Sequence, residues 1–370
     1  MTKLQSISKI ESWFPELKEP LIIAGPCSAE SESQIMTTAA EIAALEKVKI
    51  FRSGIWKPRT RPGNFEGVGE KGLKWLQQVK QEFGLLTAVE VANEEHVKLA
   101  VKYGIDVLWI GARTTSNPFS VQELANCLKG YDGPVLVKNP INPDINLWVG
   151  ALERFYKAGI KKLAAVHRGF FPFEATTLRN IPKWEVPIEL KSICHTLPVL
   201  CDPSHIAGST EFIPEISQKA LDLNMDGLMI ESHYDPNVAL SDMNQQLTPT
   251  DLGGLLDKLI FRSSTTMDKA FTGVLESLRS QIDSIDQQML ELLSQRMNVV
   301  EEIGKYKSQN EVTILQLRRW EKIIETRLRL GKKMGLTEDF IKKLLQLVHK
   351  ESIQRQTEVM NKMTSSRKKK

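Results

Sequence analysis

No run of 18 apolar residues occurs anywhere in this chain of 370, and the opening MTKLQSISKIESW lacks the apolar stretch of a signal peptide. A cytoplasmic chain with no membrane segment is expected. Cysteine is nearly as scarce. Cys27, Cys127, Cys194 and Cys201 lie far apart with no CxxC pair, which argues for reduced thiols rather than a disulfide framework. A free cysteine is most often a small buried hydrophobe. Charge of one sign is lacking too, the net value being +4. The excess is local: residues 1–262 carry 28 Lys+Arg against 31 Asp+Glu, and residues 263–370 carry 21 against 14. A basic C-terminal part suits an anionic small molecule or a nucleic acid. The terminal NKMTSSRKKK, 361–370, reads as a disordered, solvated end.

Between residues 20 and 235 one pattern recurs: a short β-rich apolar run, a polar residue at its end, then a longer helical stretch. The runs are LIIAGPC (21–27), VKIFRSG (48–54), LLTAVEVA (85–92), DVLWIGAR (106–113), PVLVKN (134–139), KKLAAVHRG (161–169), LPVLCDPSH (197–205) and DGLMIESH (226–233). Continuous apolar strands separated by helices predict a parallel sheet covered on both faces, and eight such units predict an α/β fold, the closed (β/α)8 TIM barrel. Functional groups in that fold sit at the C-terminal strand ends. Here those ends carry Cys27, Arg52 with Lys57, Glu90, Arg113, Lys138, Arg168, Asp202 with His205, and Glu231. Five cations converging in a partly dehydrated mouth repel one another, and a phosphorylated or carboxylated ligand is expected to compensate them. GVGEKG (67–72) matches a dinucleotide fingerprint, but PRTRPGNFE precedes it where a strand should, so it reads as loop.

The motifs GPCSAE, FRSGIWKPRTRP, IGART, VLVKNP, HRGF, CDPSH and IESHYDPNVALSD, in this order over about 20–260, resemble the 3-deoxy-D-arabino-heptulosonate 7-phosphate (DAHP) synthase family, in its compact class. That family condenses phosphoenolpyruvate with erythrose 4-phosphate on a divalent metal. The resemblance implies that Cys27, His205, Glu231 and Asp242 ligate one ion. A thiolate, an imidazole and two carboxylates suit Mn, Fe, Co, Zn or Cu. It implies further that Arg52, Lys57, Arg113, Lys138 and Arg168 bind phosphoenolpyruvate. Lys57, Pro58, Arg59 and Thr60 would hold erythrose 4-phosphate with Asp202 beside the aldehyde, Glu90 would lie by the attacking water or the phosphate, and Lys57 would supply the proton to the aldehyde oxygen. KPRT, rather than a KANRS-like segment, argues against the related 3-deoxy-D-manno-octulosonate 8-phosphate synthases, and Cys27 argues against their metal-free form.

After a junction at 263–271 the chain reads as wholly helical, with helices over about 272–309, 316–334 and 337–360. In the first, Leu275, Leu278, Ile282, Ile285, Met289, Leu292, Met297, Val300 and Ile303 recur at helical spacing. Periodicity alone permits a dimerisation tail. Arg296 and Lys307 lie eleven residues apart, about 20° from eclipsed, whereas Arg279 points roughly 100° away from Arg296, poorly placed for such a stripe within one straight helix but able to reach it from a partner's helix. The cations follow an apolar stripe rather than an aromatic-rich groove, which argues against nucleic acid.

LRSQIDSIDQQMLELLSQR…EEIGKYK resembles the all-helical chorismate mutase family, whose long helices intertwine in a homodimer. The resemblance covers about 272–357. It implies a chorismate or prephenate pocket of Arg279, Arg296, Lys307, Arg319, Ser352 and Gln356, with Lys307 at the ether oxygen. Gln316 and Trp320 stand where the family usually has an acidic pair. The expectation is therefore a bifunctional enzyme: a synthase barrel over 1–262 and a mutase over 272–360 that gives feedback control. The alternative is a synthase whose tail only dimerises or senses a ligand.

Overall fold

This computed structural model describes residues 4, 6–18, 20–57, 63, 65–173, 175–262 and 268–367. Contacts divide the chain into two compact units, Met1–Ser264 and Thr265–Lys370.

In the first unit eight parallel strands close into a barrel in chain order: β1 (Leu21–Gly25), β2 (Ile50–Arg52), β3 (Leu86–Val91), β4 (Val107–Ile110), β5 (Val135–Lys138), β6 (Leu163–His167), β7 (Val199–Cys201) and β8 (Gly227–Glu231). β8 pairs with β1 from Leu21↔Gly227 to Gly25↔Glu231, which closes the ring. The expected TIM barrel is found.

Side chains alternate across a strand, so each strand supplies two rows. One row faces the barrel axis: Leu21 and Ile23, Ile50, Leu86 and Ala88, Val107 and Trp109, Leu136, Ala164 and Val166, Leu200, and Met229 form a single apolar cluster with Ile10, Trp13 and Leu17 of the N-terminal segment. The other row, including Ile22, Ala24, Phe51, Val89, Val137, Ala165 and Cys201, packs in the helix layer. Gly25 allows the first crossing to be tight: a Cβ there would lie 2.1 Å from the Arg52 carbonyl oxygen.

Among its described residues the second unit has three helices, Lys269–Gln309, Leu317–Lys333 and Glu338–Arg367. Asp268 caps the first by accepting from the Ala270 and Phe271 amides. Gly304 lets the first and third helices approach, since a Cβ there would meet Gln356 Cα at 3.2 Å. The third helix continues past 360 to Arg367, within the stretch expected to be a disordered end. NKMTSSR contains no helix breaker, and Thr364 and Ser365 turn their hydroxyls onto the Met360 and Asn361 carbonyls instead of competing with the helix. Among the described residues no helix is long and apolar enough to cross a membrane.

Candidate active site

In six strands the inward row, continued by two residues, leaves the apolar core and reaches the mouth with a charged group. From Ile50 the next inward position is Arg52, from Ala88 it is Glu90, and from Leu136 it is Lys138. Val166 leads to Arg168, Leu200 to Asp202 and Met229 to Glu231. Strand periodicity thus turns a chain-wide pattern into one cluster of charged groups above an apolar floor.

Trp109 forms that floor. Its indole N–H donates to Glu90 Oε2 at 2.9 Å, and its ring lies beneath the Arg52 guanidinium, 4.9 Å from centroid to Cζ, with Lys138 Nζ at 6.0 Å. Arg52 and Glu231, both buried, approach at 3.3 Å, and Glu231 holds the Arg52 guanidinium above its ordinary value against the opposing effect of burial. Lys138 Nζ lies 2.7 Å from Asp202 Oδ2. Asp202 also accepts from the His205 amide and lies 2.8 Å from His205 Nδ1. Burial opposes its ionisation, but His205 and Lys138 hold the carboxyl well below the usual range. Arg168 donates to Asn180 Oδ1 at 2.9 Å. Burial, reinforced by nearby Arg179 and Arg113, lowers its guanidinium to about 10, which marks this flank as a place where an anion is favoured. Arg113 itself is exposed, on the short helix Ala112–Thr115 after β4.

Donor atoms of Cys27, Glu231 and Asp242 lie within 4.8 Å of one another, a constellation able to hold a metal ion. The fourth expected ligand, His205, has Nδ1 3.8 Å from Glu231 Oε1 and turned to Asp202. The donor set passes a test of fit. Glu231 Oε1 is buried and, although 3.3 Å from Arg52 Nη1, accepts no hydrogen bond, and burial followed by the Glu231 charge raises the Cys27 thiol to about 12, a setting in which a metal ion would favour the thiolate. Lys57 Nζ donates to Cys27 Sγ at 2.9 Å. Pro58, Arg59 and Thr60 lie outside the described residues.

Four supporting residues had no signal in the sequence. Arg179 pairs with Asp242 at 3.0 Å and donates to Gln245 Oε1, while Gln245 Nε2 donates to Glu231 Oε2 at 2.6 Å. Gln246 Oε1 accepts from the Cys27 amide at 2.9 Å. Asp242 is held in the left-handed region, φ 52°, which aims its carboxylate at this group. Arg179 comes from an irregular loop, where no periodicity singles out one arginine. The glutamines follow ALSD closely but are chemically ordinary. Trp109 looks like any other strand apolar.

In the helical unit, Arg296 Nη1 donates to the Ser352 hydroxyl at 2.6 Å and Lys307 Nζ to the Ile314 carbonyl at 2.5 Å. Gln356 is buried against Gly304. Arg319 is exposed on the second helix. Arg279 is exposed too, donates to Glu276 Oε1 at 2.6 Å, and is not brought to Arg296 within one chain. Trp320 stacks on His349, a residue that drew no attention in the sequence.

Residues 17–265 match the DAHP synthetase I family and residues 278–357 match Chorismate mutase type II. A phospho-2-dehydro-3-deoxyheptonate aldolase of Thermotoga maritima is 35% identical over 226 residues, covering 61% of this chain and 64% of that protein. This chain thus spans a little under two thirds of that relative. A 2-dehydro-3-deoxyphosphooctonate aldolase of Wolinella succinogenes is 26% identical over 267 residues, 65% of this chain and 98% of that protein. The crystal structure of the Thermotoga maritima DAHP synthase superposes with TM-score 0.59 at 29% identity, covering 70% of this chain and 76% of that one.

Proposed function

Because the chain belongs to the DAHP synthetase I family, we propose that its barrel condenses phosphoenolpyruvate with erythrose 4-phosphate to DAHP and phosphate, and that its helical unit rearranges chorismate to prephenate. The observation that carries the synthase reading is the clustering of Cys27, Glu231 and Asp242 beside the buried cations Arg52 and Lys138. One face of the mouth suits a divalent ion and the other a phosphorylated carboxylate.

A divalent ion held by Cys27, His205, Glu231 and Asp242 would supply Lewis acidity at the sugar carbonyl. Arg52, Arg113, Lys138 and Arg168 bind the carboxylate and phosphate of phosphoenolpyruvate. Planar guanidinium forks fix its orientation, so that C3 faces the aldehyde carbon. As the C–C bond forms, the aldehyde oxygen takes a proton from Lys57, whose ammonium already points into the cluster. Water adds at C2 with Glu90 beside it, and the C2–O bond breaks to release phosphate. Asp202, anchored by Lys138 and His205, lies at the aldehyde. Arg59 and Thr60, with Lys57 and Pro58, hold the erythrose phosphate.

In the helical unit, Arg296, Arg319 and the partner subunit's Arg279 bind the two carboxylates of chorismate, with Ser352 and Gln356 completing the pocket. Lys307 stabilises charge growing on the ether oxygen; no nucleophile is needed, because the rearrangement is intramolecular. The exposed apolar row Leu278, Ile282, Ile285, Met289 and Leu292 supports a homodimer through the first helix. Prephenate or chorismate bound there lowers the synthase rate, a coupling between two sites of one chain. Reduced thiols and the absence of a spanning helix among the described residues fit a cytoplasmic setting.

The test is product formation from phosphoenolpyruvate with a four-carbon against a five-carbon aldose phosphate, before and after chelation. Preference for the five-carbon sugar would transfer the assignment to the octulosonate branch, and turnover indifferent to chelation would remove the metal. A second reading is favoured by one observation: Trp320, at a position the family gives to an acid, stacks on His349. On that reading the tail binds its ligand without turning it over. Chorismate consumption by the full chain separates the two.

A further inference from the structure

His349 and Trp320 stack with ring centroids 3.9 Å apart and planes 13° apart, one ring from the third helix of the C-terminal unit and one from the second. Helical spacing puts His349, Ser352 and Gln356 on one face, and Arg296 of the first helix lies against that face through its bond to Ser352. Gln356 is only 8% exposed and its Oε1 has no hydrogen-bond partner. A buried carbonyl oxygen in that state asks for a donor from outside the chain. The face therefore carries a cation, an imidazole, a hydroxyl that accepts from Arg296 and donates to the Val348 carbonyl, and an unpartnered acceptor.

The charged group acting on the imidazole is Arg296. The second helix presents the uncharged Trp320, and the neighbours on the ring's own face, Leu345, Gln346, Ser352 and Ile353, are uncharged as well. Burial, with Arg296 adding to it, holds His349 below the ordinary histidine value, so the ring is neutral at pH 7 without ligand. A carboxylate bound by Arg296 reverses the sign of that field.

We propose that His349, held flat by Trp320, is a further anion-recognition residue of the helical-domain pocket: it takes one proton from solvent when a dicarboxylate binds and donates it in a charge-assisted hydrogen bond. This role rests on the proposed chorismate and prephenate pocket. It gives the Trp320 position a physical purpose, since an acid there would favour the charged histidine with or without ligand, whereas a flat neutral ring orients it and leaves its charge to the ligand.

The experiment is calorimetric titration of the full chain with prephenate, and separately with chorismate, from about pH 6 to 8.5 in two buffers of different ionisation heat. The expected result is net proton uptake on binding, with affinity about tenfold weaker in His349→Phe at the acid end and nearly equal at the alkaline end, as one charge-assisted bond implies. Uptake should vanish in His349→Phe, which keeps a flat ring, and in His349→Gln, which keeps a neutral donor. Wild-type uptake that persists in both variants overturns the His349 role while leaving the pocket intact. No binding of either compound by the wild type overturns the pocket itself, and the His349 role with it.

Discussion

Lys57 Nζ lies 2.9 Å from the Cys27 sulfur, which in turn lies 3.2 Å from Asp242 Oδ2. Burial and the Glu231 charge push this thiol up to about 12, so at neutral pH the sulfur gives up its proton only when more positive charge arrives than Lys57 provides. A divalent ion meets that need and releases a proton as it binds. Cobalt loading is expected to produce a sulfur-to-metal charge-transfer absorption that disappears in Cys27→Ser. Synthase turnover should fall at least about 100-fold in Cys27→Ala, since loss of even an outer partner of a metal site costs 10–100-fold. Unchanged absorption in the serine variant would remove Cys27 from the ligand set.

Arg52 and Glu231 form an ion pair that is almost wholly out of water. Truncating Arg52 to alanine leaves Glu231 charged and buried, a loss of about 3–5 kcal/mol for such pairs. Urea denaturation of metal-free Arg52→Ala should report destabilisation of that order. Arg52→Lys keeps the charge but not the planar fork, so it should recover much of the stability while the KM for phosphoenolpyruvate still rises about tenfold or more. If the lysine variant also recovers KM, the guanidinium is not a substrate contact.

What was legible in the sequence followed from alternation. Runs such as LAAVHRG mark a strand and its polar end, and counting by twos from Val166 reaches Arg168 inside the mouth. The same counting puts His167 in the opposite row, which is why a strand-end histidine is in the helix layer and not in the site. Trp109 obeys the inward period but, being apolar, did not separate itself from core. Arg179 and Gln245 reach Asp242 and Glu231 across loops, and contacts between irregular segments follow no period. In the tail, helix spacing aligned Arg296 with Lys307. The Trp320–His349 stack joins two different helices, a pairing that neither helix's own period contains.

His167 sits among Trp148, Phe170 and Trp184, with ring centroids 5.3–6.5 Å away. Burial there lowers its value to about 3. Between about pH 6.5 and 3 the unfolded chain therefore binds a proton that the folded chain refuses. This contribution to stability is complete above about pH 6.5 and falls with acidification, by up to about 1.4 kcal/mol per pH unit from this group. His167→Phe fits the aromatic surroundings and does not titrate. The difference in urea midpoint between wild type and variant should shift in the variant's favour from about pH 7 to 5. A constant difference would mean that His167 does not titrate as its burial requires.

Ile282 and Ile285 are 57% and 56% exposed on a helix whose apolar row continues through Met289 and Leu292. Such a row on a single chain calls for cover, and Arg279, exposed on the same helix, does not reach Arg296 within one chain. If a second copy provides both the cover and the missing arginine, Ile282→Glu with Ile285→Lys should give monomers by light scattering and remove chorismate turnover. A sharper test mixes Arg279→Ala and Arg296→Ala chains, each inactive alone. Half of randomly exchanged dimers are mixed, and each mixed dimer carries one site with both arginines and one with neither, so about a quarter of wild-type mutase activity should return. Pockets built from single chains would return none, because every chain in the mixture lacks one of the two arginines.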